Sequence, residues 1–249
     1  MPFSSTLKSG GVSRTLVSSI HHKSLVRRIV SESRGSGRGA TTAYQALLLR
    51  NLARRHIYWN YPQPFGISDV TAEDSIDLDE AAVYVETTNR KGGKAYIGVR
   101  VREEGPYNHS EKFTITLGIS GAAAGERWME FEQKSGTTAI DTYNFVHRII
   151  DDIGPGTPAR RRCFHMDNLL AHRNPAVLWL IVASGHRFAF RAPYYAVDGS
   201  VEYVFNTIQH DLTLALGAVK NANDLRDEVF PILGNINDFV NYFHNVGIL

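Results

Sequence analysis

The sequence predicts an α/β protein: a mixed five-stranded sheet flanked by helices, led by a basic, mostly helical N-terminal arm. Three observations predict it. Segments rich in β-branched residues gather between residues 75 and 132. An amphipathic stretch, Ile140–Ile153, follows them. From Cys163 onward, short apolar runs alternate with helical ones. Hairpin-like strands followed by strand–helix–strand units describe a mixed sheet covered by helices.

The 249 residues suit one α/β domain plus an extension. Hydrophobic content of 43% and charged content of 21% are those of a globular protein with a sizeable core. No apolar run reaches the roughly 18–20 residues of a membrane helix, so no membrane partner is expected. The single cysteine, Cys163, excludes an intramolecular disulfide and a Cys-rich zinc site and fits a reducing compartment. Charge is divided unevenly. Residues 1–60 carry ten Lys or Arg and one acid, Glu32, whereas the rest of the chain carries 17 basic and 24 acidic residues. A basic arm on a more acidic body is the pattern of a polyanion binder.

Taken in order, the arm (residues 1–66) opens with a Ser/Gly-rich stretch. Val12, Leu16, Ile20, Val26, Ile29 and Val30 then form a rough helical stripe beside Arg27 and Arg28. Ser33–Gly39 reads as a linker. A clearer helix is expected over Thr42–Ile57, with Ala46, Leu47, Leu49, Leu52 and Ala53 inward and Arg50, Arg54 and Arg55 outward. Three readings stand side by side: a DNA-contacting helix-turn-helix remnant, a solvated arm with one docked helix, or a targeting peptide in the acid-poor residues 1–34.

The body (residues 67–249) begins with Ser75–Asp79 as a strand and Ala82–Glu86 as a second apolar piece. Lys94–Arg102 and Lys112–Ser120 alternate as strands around the turn at Gly105-Pro106. Arg127–Glu132 reads as a further strand. Gly154-Pro155-Gly156 stops the Ile140–Ile153 helix. Cys163–Met166 is a buried strand. Asn174-Pro175 is a helix start, with Pro at the first helical position behind an Asn cap, and Gly185 lies beyond that helix's end. Arg187–Arg191 is a strand, Val201–Leu216 a helix, and Asp224–Val246 holds one or two more.

The chemistry-bearing stretch is Arg162–Phe205. Asp167 follows the apolar run Cys163–Met166, and Glu202 follows the turn Val197–Ser200. One strand–helix–strand unit separates them and can bring both carboxylates to one sheet edge, where they suit a hard divalent cation. A third acid is available in SIDLDEAAVYVE. Asp77 and Asp79 share one strand face and Glu80 takes the other. The same acids have an ordinary reading: Glu202 suits a first helical turn, and Asp167 with Asn168 suits a turn or cap.

The motifs D-N-x-x-x-H at Asp167–His172, G-H-R at Gly185–Arg187 and PYYAVDGSVEYVF at Pro193–Phe205 resemble the C-terminal signature of mariner-superfamily DDE transposases. In that family the last segment commonly reads P-Y-S-P-x-L-N-P-I-E, with Glu202 in the place of its final Glu. Upstream, DLDEAAVYVETTNRKGGKAYIGVRV resembles the family's D-E-x-x-F segment, which favours Asp79 over Asp77 as the first acid. The resemblance covers about residues 75–209. It implies a ribonuclease-H-like fold, with Asp79, Asp167 and Glu202 as catalytic residues and metal ligands for two Mg²⁺ or Mn²⁺ ions. It further implies transposon-end and target duplex DNA as partners, DNA cleavage and joining as the activity, and a homodimer as the working form.

On the same resemblance Asn168 and His172 stand beside the metal site, and Arg90, Lys91 and Lys94 contact phosphates. With Arg27, Arg28, Arg54 and Arg55 of the arm they make up the expected DNA-binding set. The substrate implies a nuclear location in a eukaryote and the cytoplasm or nucleoid in a bacterium. Two departures bear on Glu202. Tyr195-Ala196 stands where the family often has Ser-Pro, and Gly199-Ser200 where it has Asn-Pro, which predicts a looser turn. The region before the first acid is also shorter than the family's bipartite DNA-binding region. The alternative function is therefore a weakened or domesticated relic that binds DNA without cutting it.

Overall fold

A computed structural model describes residues 43–84, 112–122, 125–134, 136–214, 219 and 221–249. The expected helical stripe at Val12–Val30, the strand Lys94–Arg102, the Gly105-Pro106 turn and the basic residues Arg27, Arg28, Arg90, Lys91 and Lys94 lie outside these residues.

A short 3-10 turn, Tyr44–Leu47, precedes α1 (Leu49–Asn60). Then follow β1 (Ser75–Tyr84), β2 (Lys112–Ser120), β3 (Arg127–Glu132), α2 (Ala139–Ile153), β4 (Cys163–Met166), α3 (Pro175–Ala183) and β5 (Arg187–Phe190). After a 3-10 turn at Ala196–Asp198 come α4 (Ser200–Leu214), α5 (Ala222–Gly234) and α6 (Val240–Val246). The five strands among the described residues form one sheet in the order β3-β2-β1-β4-β5. β1, β2 and β3 pair antiparallel, and β4 and β5 join parallel to β1. The mixed, helix-flanked sheet expected from the sequence is present.

Most element starts follow local chemistry. Thr138 caps α2 in a reciprocal box with Asp141. Asn174 caps α3 ahead of Pro175. Two expectations change. Ser75–Asp79 and Ala82–Glu86 are not separate pieces: Ser75–Tyr84 is one strand, because β2 pairs with it continuously from Ile76 to Tyr84. The helix expected over Thr42–Ile57 is interrupted at Leu48, whose extended backbone (ψ 135°) separates the 3-10 turn from α1. That break re-aims the apolar residues. Leu47 and Leu49 face solvent, while Ala46, Asn51 and Tyr58 are buried.

The sheet separates two cores. On one face Ile76 and Leu78 of β1, with Phe164 and Met166 of β4, pack under α2 and α3 through Phe145, Ile149, Val177 and Ile181. Gly118 of β2 lets α2 approach: a Cβ there would lie 3.1 Å from Ile149. On the other face Ile115, Leu117, Ile119 and Cys163 pack with α4, α5 and α6 through Val201, Val204, Phe205, Leu225 and Phe243. Tyr58 of α1 joins this second core. Its hydroxyl hydrogen-bonds His165 Nδ1 at 2.9 Å, and His165 Nε2 lies 3.1 Å from Ser75 Oγ. Ser75 Oγ donates its own proton to the Thr71 carbonyl, so His165 carries its proton on Nε2 and accepts from Tyr58. Burial holds that imidazole neutral, with its pKa pulled down to about 4.

Tyr44–Leu249 forms one compact unit, and within it α1 supplies Tyr58 to the core.

Candidate active site

Four carboxylates approach one edge of the sheet. Asp77 and Asp79 alternate with the core residues Ile76 and Leu78 along β1, so they face the opposite side, toward α4. β4 runs parallel to β1 with Asp77 opposite His165, and Asp167 follows directly at the end of that strand. Glu202 lies in the first turn of α4. Parallel pairing of β1 and β4, with α4 returning across the sheet, therefore delivers the acids from three separate elements.

One cation organises them. Arg191, immediately after β5, is buried. Its Nη1 donates to Asp77 Oδ1, and its Nη2 donates to Asp79 Oδ2 at 2.5 Å. Asp77 also accepts from Ser200 Oγ at 2.8 Å and from the Val201 amide at 3.2 Å. It thus satisfies an otherwise unpaired amide at the start of α4 and lies at the positive end of the helix dipole. Asp79 has fewer partners: Arg191 and the amide of Glu80, at 2.8 Å. The two β1 acids consequently differ. Asp77 is locked into the fold, and Asp79 lies closer to the open edge.

The electrostatics carry the same distinction. Burial lowers the tendency of the Arg191 guanidinium to stay charged, but Asp77 and Asp79 outweigh it and hold it charged. Burial pushes Asp79 up to about 7, with Asp167 and Glu80 adding to the rise and Arg191 opposing it. Arg191 shares its charge with the better-satisfied Asp77, which leaves Asp79 the less compensated carboxylate. Glu202 is also raised, by burial first and then by Asp77 and Asp167. Negative charge exceeds the one guanidinium available, and such a cluster favours a further cation.

Asp167 is held apart from this pair. Its Oδ1 accepts from the Leu169 amide at 2.8 Å and from His172 Nδ1 at 2.7 Å. The other His172 nitrogen, Nε2, lies 3.1 Å from Glu80 Oε1. Both ring nitrogens face carboxylates, and only the imidazolium can donate to both. Burial of His172 opposes that charge, but Asp167 and Glu80 prevail and raise its pKa to about 10. A folded pKa raised above the unfolded value of about 6.5 contributes stability that is full below pH 6.5 and is lost as pH rises through 10. Urea unfolding between pH 6.5 and 10 is expected to show the wild type losing on the order of 2 kcal/mol relative to His172→Gln. Parallel pH profiles of the two proteins would refute the charged bridge.

No protein-family model matches the sequence, and no curated protein does either. Solved structures do match. A pre-cleavage Mos1 transpososome aligns at a TM-score of 0.67 and 13% identity, over 94% of this chain and 69% of that one. The Mos1 mariner paired-end complex with Mn aligns at 0.66 and 14% identity, over 93% and 69%. The isolated catalytic domain of Mos1 mariner transposase aligns at 0.54 and 13% identity, over 83% and 89%. The fold is that of a mariner transposase.

Within this mariner-transposase fold Asp79, Asp167 and Glu202 lie on the same side of the sheet edge, and Asp167 is close enough to raise the pKa of both Asp79 and Glu202. Asp77 comes with them, as a partner of Arg191 and α4. Among the described residues, however, no three His, Cys, Asp or Glu side chains are gathered closely enough to hold a metal ion. The carboxylates of Asp79, Asp167 and Glu202 fit Mg²⁺ or Mn²⁺ in kind, being hard oxygen donors in a cluster short of positive charge. Asn168 donates through Nδ2 to the Arg191 carbonyl at 2.5 Å, tying the end of β4 to the end of β5. Of the basic residues expected to meet DNA, Arg54 is exposed on α1, whereas Arg55 points inward to Asp198.

Arg191 is the residue that the sequence reading missed. The signal was present in a basic residue closing an apolar strand, but nothing local distinguishes it from the many basic residues at strand ends. It also accounts for one departure from the mariner motif. A Cβ at Gly199 would lie 2.9 Å from Arg191 Nη1, so glycine there makes room for the guanidinium, and Ser200 supplies a hydrogen bond to Asp77. The looser turn expected from the missing prolines is offset by these side-chain tethers.

Proposed function

We propose that the chain is a metal-dependent DNA transposase or endonuclease that cuts and joins strands at transposon ends. The observation that carries this reading is the delivery of Asp79, Asp167 and Glu202 to one sheet edge in a chain with the mariner-transposase fold. Asp79, Asp167 and Glu202 would hold two Mg²⁺ or Mn²⁺ ions, which when bound activate a water or 3′-hydroxyl and stabilise the leaving oxygen of an in-line phosphoryl displacement. The residues of the chain position the reaction. His172 fixes the rotamer of Asp167 by donating to Oδ1, and Asn168 fixes the β4–β5 junction. Arg191 holds the β1 face of the site, and Arg54 offers an exposed cation for a phosphate. Duplex DNA is the partner, a homodimer is the working form, and the location follows the DNA: the nucleus, or the nucleoid of a bacterium. Mos1 structures solved with transposon ends, with Mn and with Mg support the reading by likeness.

A second reading is favoured by one observation: Arg191 already occupies Asp79 Oδ2. A chain whose first acid stays paired with an internal cation would bind DNA without cutting it. Nicking of supercoiled DNA separates the two. The transposase reading expects nicked product in Mg²⁺ or Mn²⁺ and none in excess chelator. Salt-sensitive binding without nicking in either metal would leave the relic reading standing.

A further inference from the structure

The geometry points to Arg55 of α1 as a positioning residue that holds the loop delivering Glu202, rather than as a contact to DNA. Arg55 Nε donates to Asp198 Oδ2 at 2.8 Å and Nη2 donates to Oδ1 at 2.6 Å. This paired fork is the strongest and most directional form of an Arg–carboxylate contact. Asp198 is only 3% exposed, so the pair lies largely out of water and is poorly screened. The same guanidinium lies over the ring of Tyr195, 4.6 Å from its centroid. The Tyr195 hydroxyl in turn donates to the carbonyl of Ala46 at 2.8 Å, in the turn before α1. Two residues of the loop, Tyr195 and Asp198, are therefore fastened to the segment 46–55.

The loop needs fastening. Tyr194 has φ 68°, a left-handed conformation that a bulky side chain adopts only where its surroundings impose it. Downstream, the Gly199 amide donates to the Ala196 carbonyl at 2.8 Å, and α4 opens at Ser200 with Glu202 in its first turn. Three residues separate Asp198 from Glu202, and the 3-10 turn at Ala196–Asp198 runs almost directly into the helix. A clamp on Asp198 consequently sets where α4 begins and where its first-turn carboxylate stands. It takes over the stiffening that proline at 196 or 200 would supply. It also makes α1 part of the catalytic unit.

The inference rests on the proposed function for its activity readout only. The full chain is compared with Arg55→Ala, Arg55→Lys and Asp198→Asn in two measurements. In hydrogen–deuterium exchange, Arg55→Ala is expected to speed exchange at the amides of Asp198, Gly199 and Val201 by about tenfold or more, with Asp198→Asn following and Arg55→Lys intermediate. In single-turnover nicking at saturating DNA, Arg55→Ala is expected to slow the rate by up to about 100-fold, the scale of a small misplacement at a reacting centre. DNA affinity and its salt slope stay at wild-type values. Unchanged exchange in the loop, in both Arg55→Ala and Asp198→Asn, would overturn the clamp. So would a wild-type rate at saturating DNA with weakened, less salt-sensitive binding, which returns Arg55 to the DNA interface. If the wild type does not nick at all, the proposed function fails, and the exchange measurement still decides the clamp.

Discussion

Arg191→Ala is expected to lower the unfolding free energy by about 3–5 kcal/mol, the scale of breaking a buried pair from one side. Stability of an ordinary domain is about 5–15 kcal/mol, so this single change removes a large share of it. The reason is asymmetric. Removing the guanidinium leaves Asp77, which is 2% exposed, facing Ser200 and the α4 amide without a cation, and leaves Asp79 with the Glu80 amide alone. An unpaired buried carboxylate costs more than the pair contributed. Urea unfolding measures the loss. The double variant Arg191→Met with Asp77→Asn is expected to recover part of it, because it removes both the cation and the charge that needs it. A loss below about 1 kcal/mol in Arg191→Ala would show that water already reaches the pair.

Asp167→Ala is expected to reduce metal-dependent nicking about 1,000-fold, the equivalent of about 4 kcal/mol of transition-state stabilisation. Its effect on the fold is smaller. Asp167 stands at a strand end, and its side chain is 45% exposed. Its removal takes one of two carboxylates from His172, which keeps Glu80 at 3.1 Å. Catalytic loss in a protein that stays folded is thus the signature sought, and it contrasts with Arg191→Ala, where both fall together. Nicking by Asp167→Ala within tenfold of wild type would remove Asp167 from the site.

Much of this architecture is legible in local chemistry. The cap at Asn174, the glycines at 154 and 185 and the β-branched run Lys112–Ser120 act within a few residues, and each element they mark is present. Asp167 and Glu202 stand out as candidates because short motifs surround them, and Asp79 because Glu80 follows it. The choice between Asp77 and Asp79 was not legible from periodicity, since both lie on one strand face. The structure separates them by what reaches each: Ser200 and the Val201 amide lock Asp77, and neither touches Asp79.

The break at Leu48 and the inward turn of Arg55 were not legible either. An arginine on a helix reads as solvent-facing until its partner is known, and Asp198 is 143 residues away. By itself, then, the sequence determined most of the described elements and their order, because propensity, capping and strand alternation depend on near neighbours, and its motifs singled out three acids as candidates. The tertiary structure alone decided that Arg191 stands among those acids, that His172 bridges Asp167 to Glu80, and that α1 holds the loop before Glu202. Those contacts join residues distant in the chain, and their strength comes from burial, which no local pattern encodes.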